Sequence, residues 1–544
     1  MNKKYIVGGF IFWAGLSGYM GLRILESYTE DAVFAALSAV PAQAQEIRYS
    51  FLRNTLSLKG VEYELPDKSV MHKGSIEKVE VKGFNRKCMF VKPDMPAYDA
   101  DALPVVAESI SLEGIVDNIH VGQTRIEQKI ADVQVRGWYQ RLGMLLDQRS
   151  QHGGEASYYE ELYRCRLDGL DINNVYAVVS DPALPVAMTV NVEKLALADG
   201  VRAPRGKEKV PPVSLYVSGI RFSNRTYSGA LQRMDIRNLL LPDPENMAKI
   251  VRLFRDSGVG SDKADGQNDV VSMSPEERIG AVQAALRETY DKRLPYSLIG
   301  CQGASITVKG PQSSVVLSLN GITGRLSMES GEKVRSSAEL SKLHIALPRE
   351  GDKIYAVIAR YAPNGPTLSV KVESLMDDRE YVATSRYVVE GLGELESEIV
   401  LVGDMASFSG TSVFAPDDAY LDLMRNLRLK KLVVDYKDSG LLPMALELVA
   451  WREVQNPEDL QAQLIAAGDE LSQLPDKLFQ DLGSILKEQV TTPGDIRMTF
   501  TSEKEEPVMD LVNTLFMEPG SVPLRFSSTP GAKTLTDYLQ MGKE

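Results

Sequence analysis

Sliding the chain against itself by 54 residues aligns "NTLSLKGVEYELPDKSVMHKGSIEKVEVKGFNR" (54–86) with "ESISLEGIVDNIHVGQTRIEQKIADVQVRGWYQ" (108–140) without a gap, and seven of the 33 positions are identical. An ungapped self-match of that length limits the fold strongly, because both copies must be the same unit. The identities are Ser57/Ser111, Leu58/Leu112, Gly60/Gly114, Ile76/Ile130, Val79/Val133, Val81/Val135 and Gly83/Gly137. Each copy is two period-2 segments, each ending in Gly and an apolar residue, joined by a polar stretch, which predicts a two-stranded element.

Parts of the unit return at irregular intervals. The second half recurs as "LDGLDINNV" (167–175), "VEKLAL" (192–197), "LQRMDIRNL" (231–239), "LSKLHI" (340–345) and "MRNLRLKKL" (424–432), and the first as "LYVSGI" (215–220) and "LSLNGI" (317–322). The spacing excludes a solenoid of fixed period and predicts antiparallel hairpins or a meander with variable loops. Alternation gives each strand one apolar and one polar face, while Gly or Asn supplies the positive φ that turns and bulges need. The apolar positions Leu58, Val79, Val81, Leu112, Val133 and Val135 are therefore candidates to line one shared face or groove.

The chain divides, on this pattern, into residues 1–45 (signal anchor and stand-off helix), 46–257 (β-repeat region), 258–273 (linker), 274–414 (a second β-rich module opened by a helix) and 415–544 (an α+β domain). Helical stretches are expected near 141–165 and in "PENMAKIVRLFRDSG". A capping box at Ser274 and Glu277, with Pro275 at the first helical position, starts the second module. Alternation then runs through "SITVKG", "SVVLSLNGITGRLSM", "IYAVIARY", "TLSVKVESL" and "SEIVLVGDM". After 415 the strands "LRLKKLVVDY", "DIRMTFT" and "VPLRFSS" are each followed by a helix, and two more helices begin at "NPED" and "PDKL". The fold class expected is mainly β with an α+β C-terminal part, an N-terminal transmembrane helix and helical insertions.

Residues 5–22 carry no charge, and 18 residues at about 1.5 Å rise cover a hydrocarbon core of about 30 Å. Lys3 and Lys4 before this segment, and Glu26, Glu30 and Asp31 after it, place a short N-terminal tail in the cytoplasm and the bulk of the chain in the periplasm. An A-x-A site at Ala42 and Ala44 lies about 20 residues beyond the apolar stretch and past four charged side chains, too far for cleavage, so a retained anchor in the inner membrane is expected. The helix between them shows an apolar stripe at Leu25, Tyr28, Val33 and Leu37.

Chemistry-bearing motifs are sparse. A net charge of −13 argues against nucleic acid as a partner, and "RAPRGKEK" (202–209) reads as a loop. The four histidines are isolated, and Cys88, Cys165 and Cys301 have no C-x-x-C spacing, so neither zinc nor another cofactor is expected. "SIEK" (75–78) and "SGEK" (330–333) match S-x-x-K outside any helix, which leaves Lys unable to reach Ser. "DKADGQND" (262–269) lacks calcium ligands at the required positions. Asp435 and Asp438 are either paired carboxylates or, preferably, the capping residues of a strand-to-helix turn. No catalytic residues are assigned and no enzyme is expected.

With its anchor and the recurring "LSLKGV", "IEKVEVKGF" and "LQRMDIRNL", the chain resembles the AsmA-like inner-membrane-anchored, periplasmic proteins of Gram-negative bacteria over residues 1–255 and 304–432. The resemblance implies an elongated curved sheet with an apolar concave face and a role in handling lipids between membranes. Two functions are expected from this: a cell-envelope protein holding phospholipid acyl chains in an apolar groove, or a scaffold with a closed, dry core that binds an envelope protein partner.

Overall fold

The computed structural model describes residues 23, 26–35, 37–38, 42–66, 70–85, 105–121, 123–139, 166–181, 186–198, 213–239, 296–310, 314–328, 333–348, 353–403 and 427–540. The anchor 5–22, the helical stretches expected at 141–165 and 244–258, the linker 258–273, the helix expected from Ser274, the basic loop 202–209 and the calcium-like loop 262–269 lie outside them. The described chain is mainly β, with helices concentrated toward its C-terminus. It forms two compact units, residues 1–224 with 237–289, and residues 225–236 with 290–544.

The first unit contains helix α1 (26–35) and strands β1 (Ala42–Ser50), β2 (Thr55–Pro66), β3 (Val70–Lys82), β4 (Val105–Val121), β5 (Thr124–Tyr139), β6 (Arg166–Ser180), β7 (Met188–Ala198) and β8 (Val213–Ser223). Each strand from β1 to β7 pairs antiparallel with the next, so the unit is a meander. The repeat is real in three dimensions: the first copy supplies the paired strands β2 and β3, and the second the paired strands β4 and β5.

The glycines differ in one respect from expectation. They do not end the strands at Gly60 and Gly114, which lie within β2 and β4 at φ 56° and 64°. Gly83 and Gly137 repeat the conformation at φ 65° and 55°. Leu58 and Val61 are three residues apart, an odd spacing that in a regular strand would put them on opposite faces. Both nonetheless belong to one buried cluster. The left-handed residue shifts the alternation by one, and β3 shifts with it, so that Leu58↔Val79 and Val61↔Ile76 both remain in register. Asn174 in β6, at φ 52°, and Gly219 in β8, at φ 65°, occupy the corresponding positions.

Helix α1 is not a stand-off. Its Val33 is buried with Tyr49, Leu56, Leu58, Val79 and Val81, and Leu37 packs against them. The carboxylates of Glu30 and Glu26 accept the backbone N–H groups of Tyr49 (2.7 Å) and Phe51 (2.9 Å), so the helix also closes part of the β1 edge. Tyr28, placed by its spacing on the inner stripe, is 63% exposed, and Thr29 takes the buried position instead.

The second unit holds most of β9 (Tyr227–Leu239), then β10 (Leu298–Lys309), β11 (Ser314–Met328), β12 (Val334–Ala346), α2 (Lys353–Tyr361), β13 (Thr367–Met376), β14 (Glu380–Val389) and β15 (Gly393–Val402). It continues with β16 (Arg428–Asp438), α3 (Leu441–Arg452), α4 (Pro457–Gln473), α5 (Lys477–Thr491), β17 (Asp495–Pro507), α6 (Val508–Met517), β18 (Leu524–Thr529) and α7 (Leu535–Gln540). β10 to β18 also pair in chain order. The sheet crosses the boundary placed at 414/415, because β15 pairs with β16 from Gly393↔Asp438 to Val402↔Arg428. "IYAVIARY" is helix α2 rather than a strand. Ile354, Val357, Ile358 and Tyr361 follow the helical spacing, and Val357 is buried.

Helices α4 and α5 approach through two glycines. A Cβ on Gly483 would collide with the Gly468 carbonyl and lie 2.7 Å from the Ser472 nitrogen, both backbone atoms that a side-chain rotation cannot clear. Gly483→Ala is therefore expected to destabilise the unit, although alanine is the better helix former by about 1 kcal/mol. Urea unfolding checks this, and an unchanged or raised midpoint would contradict it.

Candidate functional site: an uncharged sheet face

Register converts the scattered apolar residues of the first unit into rows. Ile47, Leu58, Val79, Leu112, Val133, Ile172, Leu195 and Val217 are successive partners across β1 to β8. Tyr49, Leu56, Val81, Ile110, Val135, Leu170, Leu197 and Leu215 form the neighbouring row. All six candidate residues thus lie in two adjacent rows of one face, but their surroundings differ. Leu58, Val79 and Val81 are core residues with α1, Leu112 packs against that cluster, Val133 is buried and Val135 half-buried.

The alternate positions carry paired charge. Lys78 reaches Glu80 (3.4 Å) and Glu113 (3.3 Å), Lys82 reaches Glu80 (3.0 Å), and Asp171 takes Lys194 (2.9 Å) and Arg136 (3.5 Å). Glu113 holds the Lys78 ammonium above its ordinary pKa, and Lys82 holds the Glu80 carboxyl below its own. Such exposed pairs contribute little stability; they keep this face wet. Ser75 and Lys78 of the "SIEK" motif lie on the extended strand β3, with Lys78 committed to these carboxylates.

One end of the apolar face is polar. Tyr63, Gly74, Asp117 and Gln128 are successive partners across β2 to β5, and Gln128 Nε2 donates to the buried Asp117 at 3.2 Å. A Cβ on Gly74 would lie 2.5 Å from the Tyr63 hydroxyl, so the absence of a side chain there lets the phenol cross toward Asp117. Burial, and then the Asp117 carboxylate, push the Tyr63 phenol up to about 12.

The second unit has an apolar face that none of the six candidate residues lies on. Gly303 (φ 62°) and Lys342 (φ 50°) shift the alternation of β10 and β12 as Gly60 does in β2. Ile306↔Leu317↔Ile345, Ala304↔Leu319↔Leu343 and Cys301↔Ile322↔Leu340 then form rows without a charge. Ile306 is 44%, Ile322 42% and Met328 52% exposed, and Val308 is also exposed. The signal in the sequence was the spacing of three in "LSKLHI", visible only once Lys342 is known to be left-handed and so to preserve the face. Cys301 is a free, half-buried thiol whose pKa burial raises; Cys88 and Cys165 lie outside the described residues.

At the other end of this unit the sheet meets helices and a polar cluster. Glu447 of α3 is buried and accepts from Arg360 Nη1 (2.5 Å) and the Tyr361 hydroxyl (3.2 Å), both at the end of α2. Burial, and then Glu447, raise the Tyr361 phenol above its ordinary range. Asp438 takes the N–H groups of Gly440 (3.0 Å) and Leu442 (2.8 Å) and the Tyr436 hydroxyl (2.5 Å), while Asp435 pairs with Arg497 (3.5 Å). The two aspartates are a helix cap and a surface ion pair rather than an acid–base couple.

A family model described as "Uncharacterized protein" matches residues 386–529, which run from β14 to the end of β18. No curated protein matches the chain.

Proposed function

We propose that this protein is a non-enzymatic component of the cell envelope that holds lipid acyl chains against the uncharged face of its sheets. The observation that carries the reading is the exposure of Ile306, Val308, Ile322 and Met328 on rows containing no charged side chain. Contiguous exposed aliphatic surface is unfavourable in water, by about 25 cal/mol per Å², and marks a surface that something apolar covers. In the first unit α1 already covers Leu58, Val79 and Val81, and Val133 is buried, so of the six residues the half-buried Leu112 and Val135 are the ones left for chain contact.

Attachment to the inner membrane through residues 5–22, with the bulk of the chain in the periplasm, is part of the same proposal. Among the described residues no helix is long and apolar enough to cross a membrane. Ala42 and Ala44, in β1, pair with Tyr63 and Val61 of β2, and cleavage after Ala44 would remove α1 from the core it covers. That favours an anchor that is kept.

Native mass spectrometry of gently extracted full-length protein tests the reading. Co-purifying phospholipid is the expected result, and Ile322→Asp is expected to reduce its occupancy roughly tenfold, because an acyl chain would have to desolvate the carboxylate. Ile322 is 42% exposed, so the variant should unfold at the parental temperature. Protein that emerges bare would sink the lipid reading and leave the scaffold.

A further inference from the structure

The corner where α3 turns into α4 carries an exposed apolar residue in a strained backbone conformation. Val454 has φ 56° and is 92% exposed. Its N–H donates to Trp451 O (3.1 Å) and that of Gln455 to Ala450 O (3.0 Å), the bonding of a helix that ends in a left-handed residue. Glycine is the usual occupant of that position, and an L-residue there is strained, with β-branched side chains the least suited. Trp451 and Val449 beside it are 39% and 45% exposed. Residues 441–540 hold sixteen acidic against seven basic residues and so account for −9 of the chain's −13. At the corner itself Glu453, Glu458 and Asp459 are exposed beside one exposed base, Arg452, which pairs with Glu453 (3.9 Å), so the corner is acidic on balance.

We infer that the α3–α4 corner is a docking surface for a protein partner that offers an apolar pocket rimmed by Lys and Arg. Trp451 and Val454 are the anchors: aromatic residues are enriched among interface hot spots, and burying the strained valine recovers apolar area that the free chain leaves in water. The acidic surroundings select a basic rim, disfavour a second copy of the same corner and repel an anionic bilayer. The inference does not depend on the lipid reading, and bare protein in the mass spectrometer leaves it untouched.

The test places a photo-crosslinking amino acid at position 449 of the full-length protein in the cells that make it, with and without Val454→Gly. The expected result is a polypeptide adduct whose crosslinked segment is rich in Lys and Arg. Its yield is expected to fall roughly tenfold both in the Val454→Gly background and at high salt, as follows when an apolar anchor and charge pairing act together. The same substitution is expected to raise the unfolding temperature by about 2–4 °C through relief of strain. Loss of the adduct in a more stable protein separates docking from a folding role. No polypeptide adduct, an adduct to lipid or to a second copy, or a yield indifferent to Val454→Gly would each overturn the inference. A lower unfolding temperature would remove the strain on which it rests.

Discussion

Replacing Glu447 by alanine is expected to destabilise the second unit by about 3 kcal/mol, a large fraction of the stability of an ordinary domain. Its carboxylate is buried and takes both Arg360 and Tyr361, which are donors from a different helix. Removal leaves the guanidinium, whose side chain is 22% exposed, with neither its partner nor full access to water. The loss therefore exceeds the value of a surface pair, whose median is about 0–1 kcal/mol. Glu447→Gln tests the origin of the effect: it keeps an acceptor for Tyr361 while removing the charge, so an intermediate loss is expected. Denaturant titration checks both variants, and a change under about 0.5 kcal/mol for Glu447→Ala would show that the cluster is incidental.

Gly114→Val is expected to cost about 2–4 kcal/mol, from two sources that act together. The backbone at φ 64° is the left-handed region that β-branched residues avoid. The new Cβ would also lie 2.8 Å from Glu77 Cβ, an atom that no rotamer change can move. Asn174→Gly reverses the sign, since Asn174 holds the same conformation at φ 52° in β6, and a gain of a few tenths of a kcal/mol is expected. Thermal unfolding of the two variants checks the pair. Equal and small effects would mean that the left-handed positions are tolerated irregularities rather than the device that keeps Leu58 and Val61 on one face.

Much of the β architecture could be read in advance because its signals are local. Gly60, Gly83, Gly114 and Gly137 are left-handed at positions that the 54-residue shift brings together, and the repeat predicts the β2–β3 and β4–β5 pairings on which they lie. The three strand-and-helix steps after 415 and the Asp438 cap were likewise visible in short windows. Helix α2 was not, since nine residues are too few to separate a period of 2 from one of 3.6. β14, "EYVATSRYVV", has no copy elsewhere in the chain, and it is fixed by pairing with β13 and β15 on either side.

The candidate site was legible in part. Leu58, Val79, Val81, Leu112, Val133 and Val135 do share one face, because alternation and register follow from the repeat. Which of them water or a ligand can reach was decided by α1, through Val33 and Leu37 in the core and Glu26 and Glu30 on the β1 edge. The exposed rows of β10 to β12 were hidden for a related reason: sequence spacing alone does not say that Lys342 takes up a left-handed backbone, and Lys is not a residue that favours one.

The amino-acid sequence alone determined that this protein is a chain of amphipathic strands punctuated by left-handed residues, since side-chain alternation and the steric freedom of glycine and asparagine act over a few neighbouring positions. Tertiary structure alone decided which strands meet, which apolar rows a helix covers, and that Arg360 and Tyr361 find Glu447 more than 80 residues away. Burial and charge pairing are properties of groups brought together from distant parts of the chain, and no local pattern encodes them.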